Sequence, residues 1–87
     1  MMVKPEITEK MKKTMARILK VKEEEIKDDS SMSSIESWDS LRHVKLIIAL
    51  EQEFGISFPD EEIIQLTSFQ PLSMKIAYLT SADTVKN

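Results

Sequence analysis

The chain has 87 residues, of which 41% are hydrophobic and 31% charged, and its formal net charge is −3. This length and composition predict one small folded domain and argue against extended disorder. The chain has no cysteine and one histidine, which excludes disulfides, thiolate metal sites and cysteine nucleophiles and makes a histidine metal cluster implausible.

The charges are unevenly distributed. Residues 1–22 contain seven Lys or Arg and two Glu, whereas residues 23–62 contain twelve Asp or Glu and three Lys or Arg. The basic surface does not extend beyond the first helix, so we do not expect nucleic-acid binding.

The first ten residues lack the apolar run of a signal peptide, and no later stretch reaches the length of a membrane span. We therefore expect a cytoplasmic protein.

The first predicted helix covers about Pro5 to Lys20. Pro5 suits the first helical position, and an apolar stripe follows at three- and four-residue spacing. Residues 21–39 then form a connection that is long for so small a domain. Apolar residues recur along it, so we expect this loop to be pinned to the core by Val21, Ile26, Met32, Ile35 and Trp38.

The second predicted helix runs from about Ser40 to Phe54, where Gly55 can supply the left-handed residue that ends a helix. Two apolar stripes lie along it. One consists of Leu46, Leu50 and Phe54 with Ile47 alongside, and the other consists of Leu41, Val44 and Ile48. A domain of this size cannot easily bury both, so the second stripe is expected to contact a partner.

Two further helices complete the prediction. Asp60 is the expected N-cap of a short third helix in the segment DEEIIQL, and Pro71 begins the last helix, with Leu72, Ile76 and Leu79 facing inward. Strand-type alternation is absent, so the predicted fold class is all-α: a small four-helix bundle, three main helices plus one short helix, with a long loop between helices 1 and 2. We assign one domain to residues 1–87, ordered over about 5–80, with a frayed tail at 81–87.

The sequence Trp38-Asp39-Ser40-Leu41 at the start of the second helix has three interpretations. In the first, Ser37, Asp39 or Ser40 caps the helix. In the second, Asp39, Ser40 and His43 form a hydrolytic triad. Adjacent residues project in different directions around a helix, and no oxyanion-hole loop is evident, so self-contained catalysis is not expected.

In the third interpretation, another enzyme acts on Ser40. A serine at a helix start is accessible, and a phosphate ester there would lie where amide groups and the helix dipole favour negative charge. The activating base and the metal would then belong to that enzyme. His43 is expected on the helix surface, as a partner contact or a bystander.

The segment WDSLRHVKLIIALEQEFGISFPDEEI closely resembles the second and third helices of acyl carrier proteins, whose signature is Asp-Ser-Leu. The similarity is ungapped from about Trp38 to Leu66 and looser over the whole chain. It implies that Ser40 carries covalent 4′-phosphopantetheine, with Asp39 and Leu41 beside it. A phosphopantetheinyl transferase would attach this arm from coenzyme A, and the arm would hold acyl or aminoacyl groups as thioesters.

The resemblance also implies a partner surface for the transferase and for loading enzymes and synthases. Its apolar part would be Leu41, Val44 and Ile48. Its acidic surroundings would be Glu51, Glu53, Asp60, Glu61 and Glu62. We add Trp38, Arg42 and Lys45 to this surface, although they differ from the residues common in fatty-acid carriers.

These differences favour a free-standing carrier of a dedicated polyketide, peptide or lipid pathway over a fatty-acid carrier. We expect a monomer that has no catalysis of its own and binds no metal. The alternative from another class is an unmodified helical interaction module that uses Leu41, Val44 and Ile48 to bind one partner.

Overall fold

The computed structural model describes residues 4–86, with side chains over residues 4–80. Its helices are α1 (Pro5–Leu19), α2 (Ser40–Phe54), α3 (Asp60–Ile63) and α4 (Phe69–Lys86), with a 3₁₀ turn at Glu23–Glu25. Over the described range there is no β-strand beyond a single bridge between Ser31 and Ser68. The predicted all-α helical bundle is confirmed.

The ends of α1 and α2 follow from local sequence. Pro5 occupies the first turn of α1, where the missing amide costs nothing. Lys20 and Gly55 end α1 and α2 in the left-handed conformation, with φ of 61° and 65°. In each case the amide of that residue donates to a carbonyl four residues earlier, on Ala16 and on Glu51. These bounds agree with the predicted ones.

The core lies where α1 packs on α2 and α4. It is built from aliphatic and methionine side chains with three aromatic rings. Its buried apolar residues are Met11, Met15, Leu19, Ile26, Ile35, Trp38, Leu46, Ile47, Leu50, Phe58, Leu66, Phe69, Leu72 and Ile76. Leu79 packs against this cluster from α4, so the inward-facing residues predicted on the last helix are confirmed.

The long loop is pinned as predicted. Ile26, Ile35 and Trp38 are buried in the core, and Val21 and Met32 pack against it. Backbone bonds also tie the loop to the connection between α3 and α4, because the Met32 amide donates to the Thr67 carbonyl at 3.0 Å and the Phe69 amide donates to the Ser30 carbonyl at 2.8 Å. The loop is therefore a fixed part of the fold, despite having little regular structure.

Two predicted helix starts are wrong. Asp60 is the first helical residue of α3 and not its N-cap, because the Pro59 carbonyl already accepts from the Glu62 amide at 3.0 Å. The last helix begins at Phe69, two residues before Pro71. Pro71 is therefore in the first turn of α4, where a missing amide is tolerated. The predicted frayed tail at 81–87 lies outside the residues whose side chains are described and stays a prediction.

Candidate functional site

The start of α2 is capped by Asp39. Its backbone is extended, and its Oδ1 accepts a hydrogen bond from the Arg42 amide at 2.9 Å. The Asp39 carbonyl accepts from the His43 amide at 2.8 Å, which begins the helical hydrogen bonding. Of the three candidate caps, Asp39 is the one that acts as a cap. Ser40 is therefore left as the first helical residue.

The Ser40 side chain faces solvent. Within the described part of the chain its hydroxyl takes part in no hydrogen bond. The first amides of a helix have no intrahelical acceptor, and they give this end of α2 a partial positive charge. An exposed, unbonded hydroxyl at such a position fits a phosphodiester, because the added negative charge would meet the helix N-terminus and no carbonyl would have to be displaced.

Trp38 and His43 lie on either side of Ser40 in sequence, and both are buried, with 1% and 5% of their surface exposed. The Trp38 indole Nε1 donates to His43 Nδ1 at 3.0 Å, and His43 Nε2 is 2.8 Å from the Ile63 carbonyl oxygen. Indole is only a donor, so Nδ1 must accept, and the second contact then requires the hydrogen on Nε2. This neutral tautomer satisfies both ring nitrogens. It joins residues 37–43, which contain the expected attachment residue Ser40 and are called the attachment turn below, to α3.

This arrangement corrects two predictions. His43 is not on the helix surface, so it is neither a partner contact nor a member of a triad with Ser40. Trp38 was expected on the partner surface, but its ring lies inside the core and its only polar atom is bonded to His43. A signal for His43 was present in the sequence, since it lies three residues before Leu46 and seven before Leu50 on the core-facing side of α2.

The carbonyl of Leu19, the last residue of α1, is contacted by two residues close to Ser40 in sequence. The Ser37 Oγ donates to the Leu19 carbonyl at 2.6 Å, and Arg42 Nη1 lies 3.5 Å from the same oxygen. The first is a strong bond and the second a marginal one. These contacts place the C-terminal end of α1 beside the residues that precede and follow Ser40.

The second apolar stripe of α2 is exposed. Leu41, Val44 and Ile48 have 67%, 53% and 49% of their surface accessible. The first stripe supplies buried Leu46, Ile47 and Leu50 to the core, with Phe54 partly buried. Three large apolar side chains on one helix face, next to an accessible hydroxyl, form a surface that a partner protein could cover.

The five acidic residues predicted for the partner surface differ in whether their carboxylates bind partners within the domain. Glu51 Oε2 accepts from the Phe58 amide at 2.8 Å and so anchors the chain after α2. Glu53 pairs with Lys10 at 3.7 Å, and Glu62 pairs with Lys75 at 2.9 Å. Asp60 and Glu61, at the start of α3, are exposed and have no ion pair among the described residues. They are the acids most available to a basic partner.

Arg42 and Lys45 add positive charge to the same side of α2. Lys45 is exposed and Arg42 is partly buried. Neither lies within ion-pair distance of a carboxylate among the residues that the structure describes.

Sequence reasoning did not predict a second set of exposed apolar side chains, which lie on α4 and after α3. They are Ile64, Met74 and Tyr78.

The sequence pattern of one protein family matches this chain. The family is described as "Phosphopantetheine attachment site", and the match covers residues 9–73, which include most of α1, all of α2 and α3, the attachment turn and the start of α4. The chain belongs to this family. The resemblance to acyl carrier proteins is thus confirmed.

Membership establishes the general role of the chain. It is a phosphopantetheine-dependent carrier protein, and 4′-phosphopantetheine is its covalent prosthetic group. Carrier domains of this kind generally have no catalysis of their own, and they interact with modifying enzymes and synthases. Over the described residues, no helix combines the length and hydrophobicity that crossing a membrane requires.

Proposed function

We propose that Ser40 is the residue that carries the arm, and that the arm holds acyl or aminoacyl groups. The observation that supports this most is the exposed, unbonded hydroxyl at the first position of α2, inside the Asp39-Ser40-Leu41 sequence. The other candidate caps are occupied, because Asp39 binds the Arg42 amide and Ser37 binds the Leu19 carbonyl. Ser40 is the one of the three whose side chain makes no hydrogen bond among the described residues.

The modifying enzyme would be a phosphopantetheinyl transferase that uses coenzyme A and magnesium. The Ser40 oxygen would bond to the phosphorus that bears pantetheine, and adenosine 3′,5′-bisphosphate would leave from that phosphorus. A base of the transferase would take the serine proton. The terminal thiol of the attached arm supplies thioester chemistry. This chain positions the hydroxyl through the Asp39 cap and the Trp38–His43 pair.

The partner surface in this proposal consists of Leu41, Val44 and Ile48, with Arg42, Lys45, Asp60 and Glu61 around them. Glu51, Glu53 and Glu62 contribute charge but are engaged within the domain. Electrostatic attraction of this kind speeds encounter more than it strengthens the final complex, which suits a carrier that must leave each enzyme. The same proposal includes four further properties: a dedicated pathway, a monomeric state, a single domain over residues 1–87 and a cytoplasmic location.

Intact mass after incubation with coenzyme A, magnesium and a broad-specificity transferase tests the assignment. The wild-type chain should gain one phosphopantetheinyl group. Ser40→Ala should gain none, while Ser57→Ala, an exposed serine outside the attachment turn, should react as the wild type does. A wild-type chain that stays unmodified would favour the alternative, an interaction module that binds through Leu41, Val44 and Ile48.

A further inference from the structure

We propose that a groove at the C-terminal end of α1 receives the pantetheine arm when no enzyme is bound. This inference rests on the proposed attachment at Ser40. The groove has a volume of about 570 Å³ and lies between the end of α1 and the last part of the long loop. Its lining residues are Lys20, Val21, Glu25, Ser34, Ile35, Glu36 and Ser37.

The groove lies close to the attachment point. Ser37 forms part of its wall and precedes Ser40 by three residues, which limits the separation of their Cα atoms to roughly 11 Å. The pantetheine arm has about as many chain bonds as five residues and reaches roughly 17 Å when extended, by the same bond geometry. A tethered group meets a nearby surface at an effective concentration in the millimolar range or above, so even weak contacts give substantial occupancy.

The lining suits the chemistry of pantetheine, which combines two amides and a hydroxyl with a geminal dimethyl group. Val21 offers apolar surface, and Ile35, which is 9% exposed, adds a small area beneath it. The Ser37 hydroxyl donates to the Leu19 carbonyl, but its oxygen can still accept a hydrogen bond from an amide of the arm. The groove therefore offers separate places for the apolar and the polar parts of the arm.

Lys20 provides the second, independent observation. It is the one non-glycine residue with a positive φ, 61°, in the described part of the chain. Glycine is the usual residue at this position of a helix end, because a side chain costs free energy in the left-handed conformation. The lysine therefore carries a backbone cost, and its ammonium group has no ion pair among the described residues. Such local strain motivates a functional assignment for the side chain.

The charges also give the arm an orientation. Arg42 Nη1 lies 3.5 Å from the carbonyl of Leu19, the residue next to Lys20, so two cations flank the end of α1. The phosphodiester would lie near these cations. Glu25 and Glu36 line the same groove and disfavour an anion within it, so the neutral pantetheine portion would occupy the interior.

The absence of cysteine makes a direct test possible. In the modified protein the arm carries the only thiol, so a nitroxide reagent labels that atom alone. Amide signals near the label broaden in NMR spectra. We expect the strongest broadening at residues 20–21 and 34–37. Strongest broadening at residues 63–66 beside α3, or equal broadening over the whole surface, would overturn the proposal.

Two variants with matched controls refine the test. Lys20→Gly relieves the backbone cost, so it should fold at least as well as the wild type. It should reduce the broadening at residues 34–37 about twofold, the size expected for losing a partly exposed charge contact. Lys22→Ala, an exposed lysine outside the groove lining, should leave the broadening unchanged. Val21→Asp should abolish the preference, whereas Ile56→Asp, at a comparably half-buried site on another surface, should not.

The labelling step separates the two proposals. Mass measurement of the labelled protein shows whether the arm is attached, whatever its resting position. An attached arm without preferential broadening contradicts only the groove, while a chain that takes up no arm contradicts both proposals.

Discussion

Trp38 and His43 show how a small domain can hold an exposed serine in a fixed place. Both are buried and satisfy each other, since the indole donates to Nδ1 and the imidazole Nε2 donates to the Ile63 carbonyl. Buried polar groups are stable in the core only when paired in this way. The pair encloses the short stretch that contains Ser40, so the hydroxyl is exposed while its backbone is fixed from both sides.

Trp38→Phe should destabilise the domain by about 1–3 kcal/mol, because it leaves His43 Nδ1 buried without a donor and removes packing volume. Chemical denaturation followed by circular dichroism measures this change, since the variant lacks the only tryptophan. Tyr78→Phe, at an exposed aromatic residue, is the control and should change the free energy of unfolding by less than about 0.5 kcal/mol.

A double-mutant cycle isolates the hydrogen bond from the packing. The double variant Trp38→Phe, His43→Leu removes both partners of the hydrogen bond, so no buried imidazole nitrogen is left without its donor. The double variant should therefore lose less stability than the sum of the two single variants, by about 1 kcal/mol. Strict additivity would mean that the two rings do not interact as the structure shows.

Lys20→Gly should raise the free energy of unfolding by about 1 kcal/mol, because the left-handed conformation at φ 61° costs a side chain roughly that amount. Lys13→Gly is the matched control. It lies on the exposed side of α1, where its 3.7 Å ion pair with Glu23 joins two exposed side chains and contributes little. Glycine there should lower the free energy of unfolding by about 1 kcal/mol. Thermal melts of both proteins test the opposite signs, and equal signs would rule out the strain at Lys20.

At the scale of single residues, sequence reasoning placed Ser40 at the start of α2 and predicted the exposed stripe, but it misplaced His43 and Trp38. The two stripes followed from spacing alone, because apolar side chains at three- and four-residue intervals share a face. The spacing of His43 from Leu46 and Leu50 indicated the core-facing side, but the residue was assigned to the surface because it is polar. Its partners, an indole nitrogen and a carbonyl of α3, become visible only when the chain is folded. Hydrogen bonds between distant segments have no signature in local spacing.

The two apolar stripes of α2 lie on different faces of the helix and differ in burial. Leu46 and Leu50 are fully buried and Ile47 is nearly so, whereas Leu41, Val44 and Ile48 are about half exposed or more. Burial of one face holds the helix in the bundle. The other face is then free to contact enzymes without disturbing the core.

Ile48→Asp should therefore lower kcat/KM for modification by the transferase about tenfold or more, the loss expected for a central interface residue. Helicity and melting temperature should change little, because about half of the Ile48 surface is already accessible. Leu46→Asp is the control on the opposite face and should unfold the domain, because it buries a charge in the core. Unfolding of the Ile48 variant would mean that this stripe is part of the core.

Helix boundaries were predictable where a residue has one dominant conformational effect. Pro5 and Gly55 set the start of α1 and the end of α2. The predicted starts of α3 and α4 were wrong by one and two residues. The start of α3 is decided by the bond from the Glu62 amide to the Pro59 carbonyl, and the start of α4 by the bond from the Phe69 amide to the Ser30 carbonyl. The second of these bonds joins residues that are far apart in sequence, so no local rule could have given it.

Over the whole molecule, the charges are arranged unevenly around the attachment turn. Asp60 and Glu61 are exposed and unpaired in the described range, whereas Glu51, Glu53 and Glu62 have internal partners. The net charge of −3 is modest. The field that a partner meets is therefore local to α3, and it should be sensitive to salt, because exposed charges are screened over about 8–10 Å at physiological ionic strength.

Reversing the charge at Asp60 and Glu61 to Lys should lower kcat/KM for a transferase with a basic docking surface by about threefold to tenfold, mainly through a higher KM. The effect should shrink as salt is added. The control reverses Glu6 and Glu9 to Lys near the start of α1, which changes the net charge by the same amount. Helix α1 is roughly 22 Å long, and its other end is the one beside Ser37. An equal loss in the control would point to net charge, and no loss in the reversal at Asp60 and Glu61 would remove α3 from the partner surface.

The central claim is that the arm is attached to Ser40, and peptide fragmentation of the modified protein tests it most directly. Trypsin should release residues 28–42, a peptide that contains six serines: Ser30, Ser31, Ser33, Ser34, Ser37 and Ser40. Fragment masses within this peptide decide which serine bears phosphopantetheine. We predict the added mass on Ser40 alone, and its appearance on any of the other five serines would contradict the assignment.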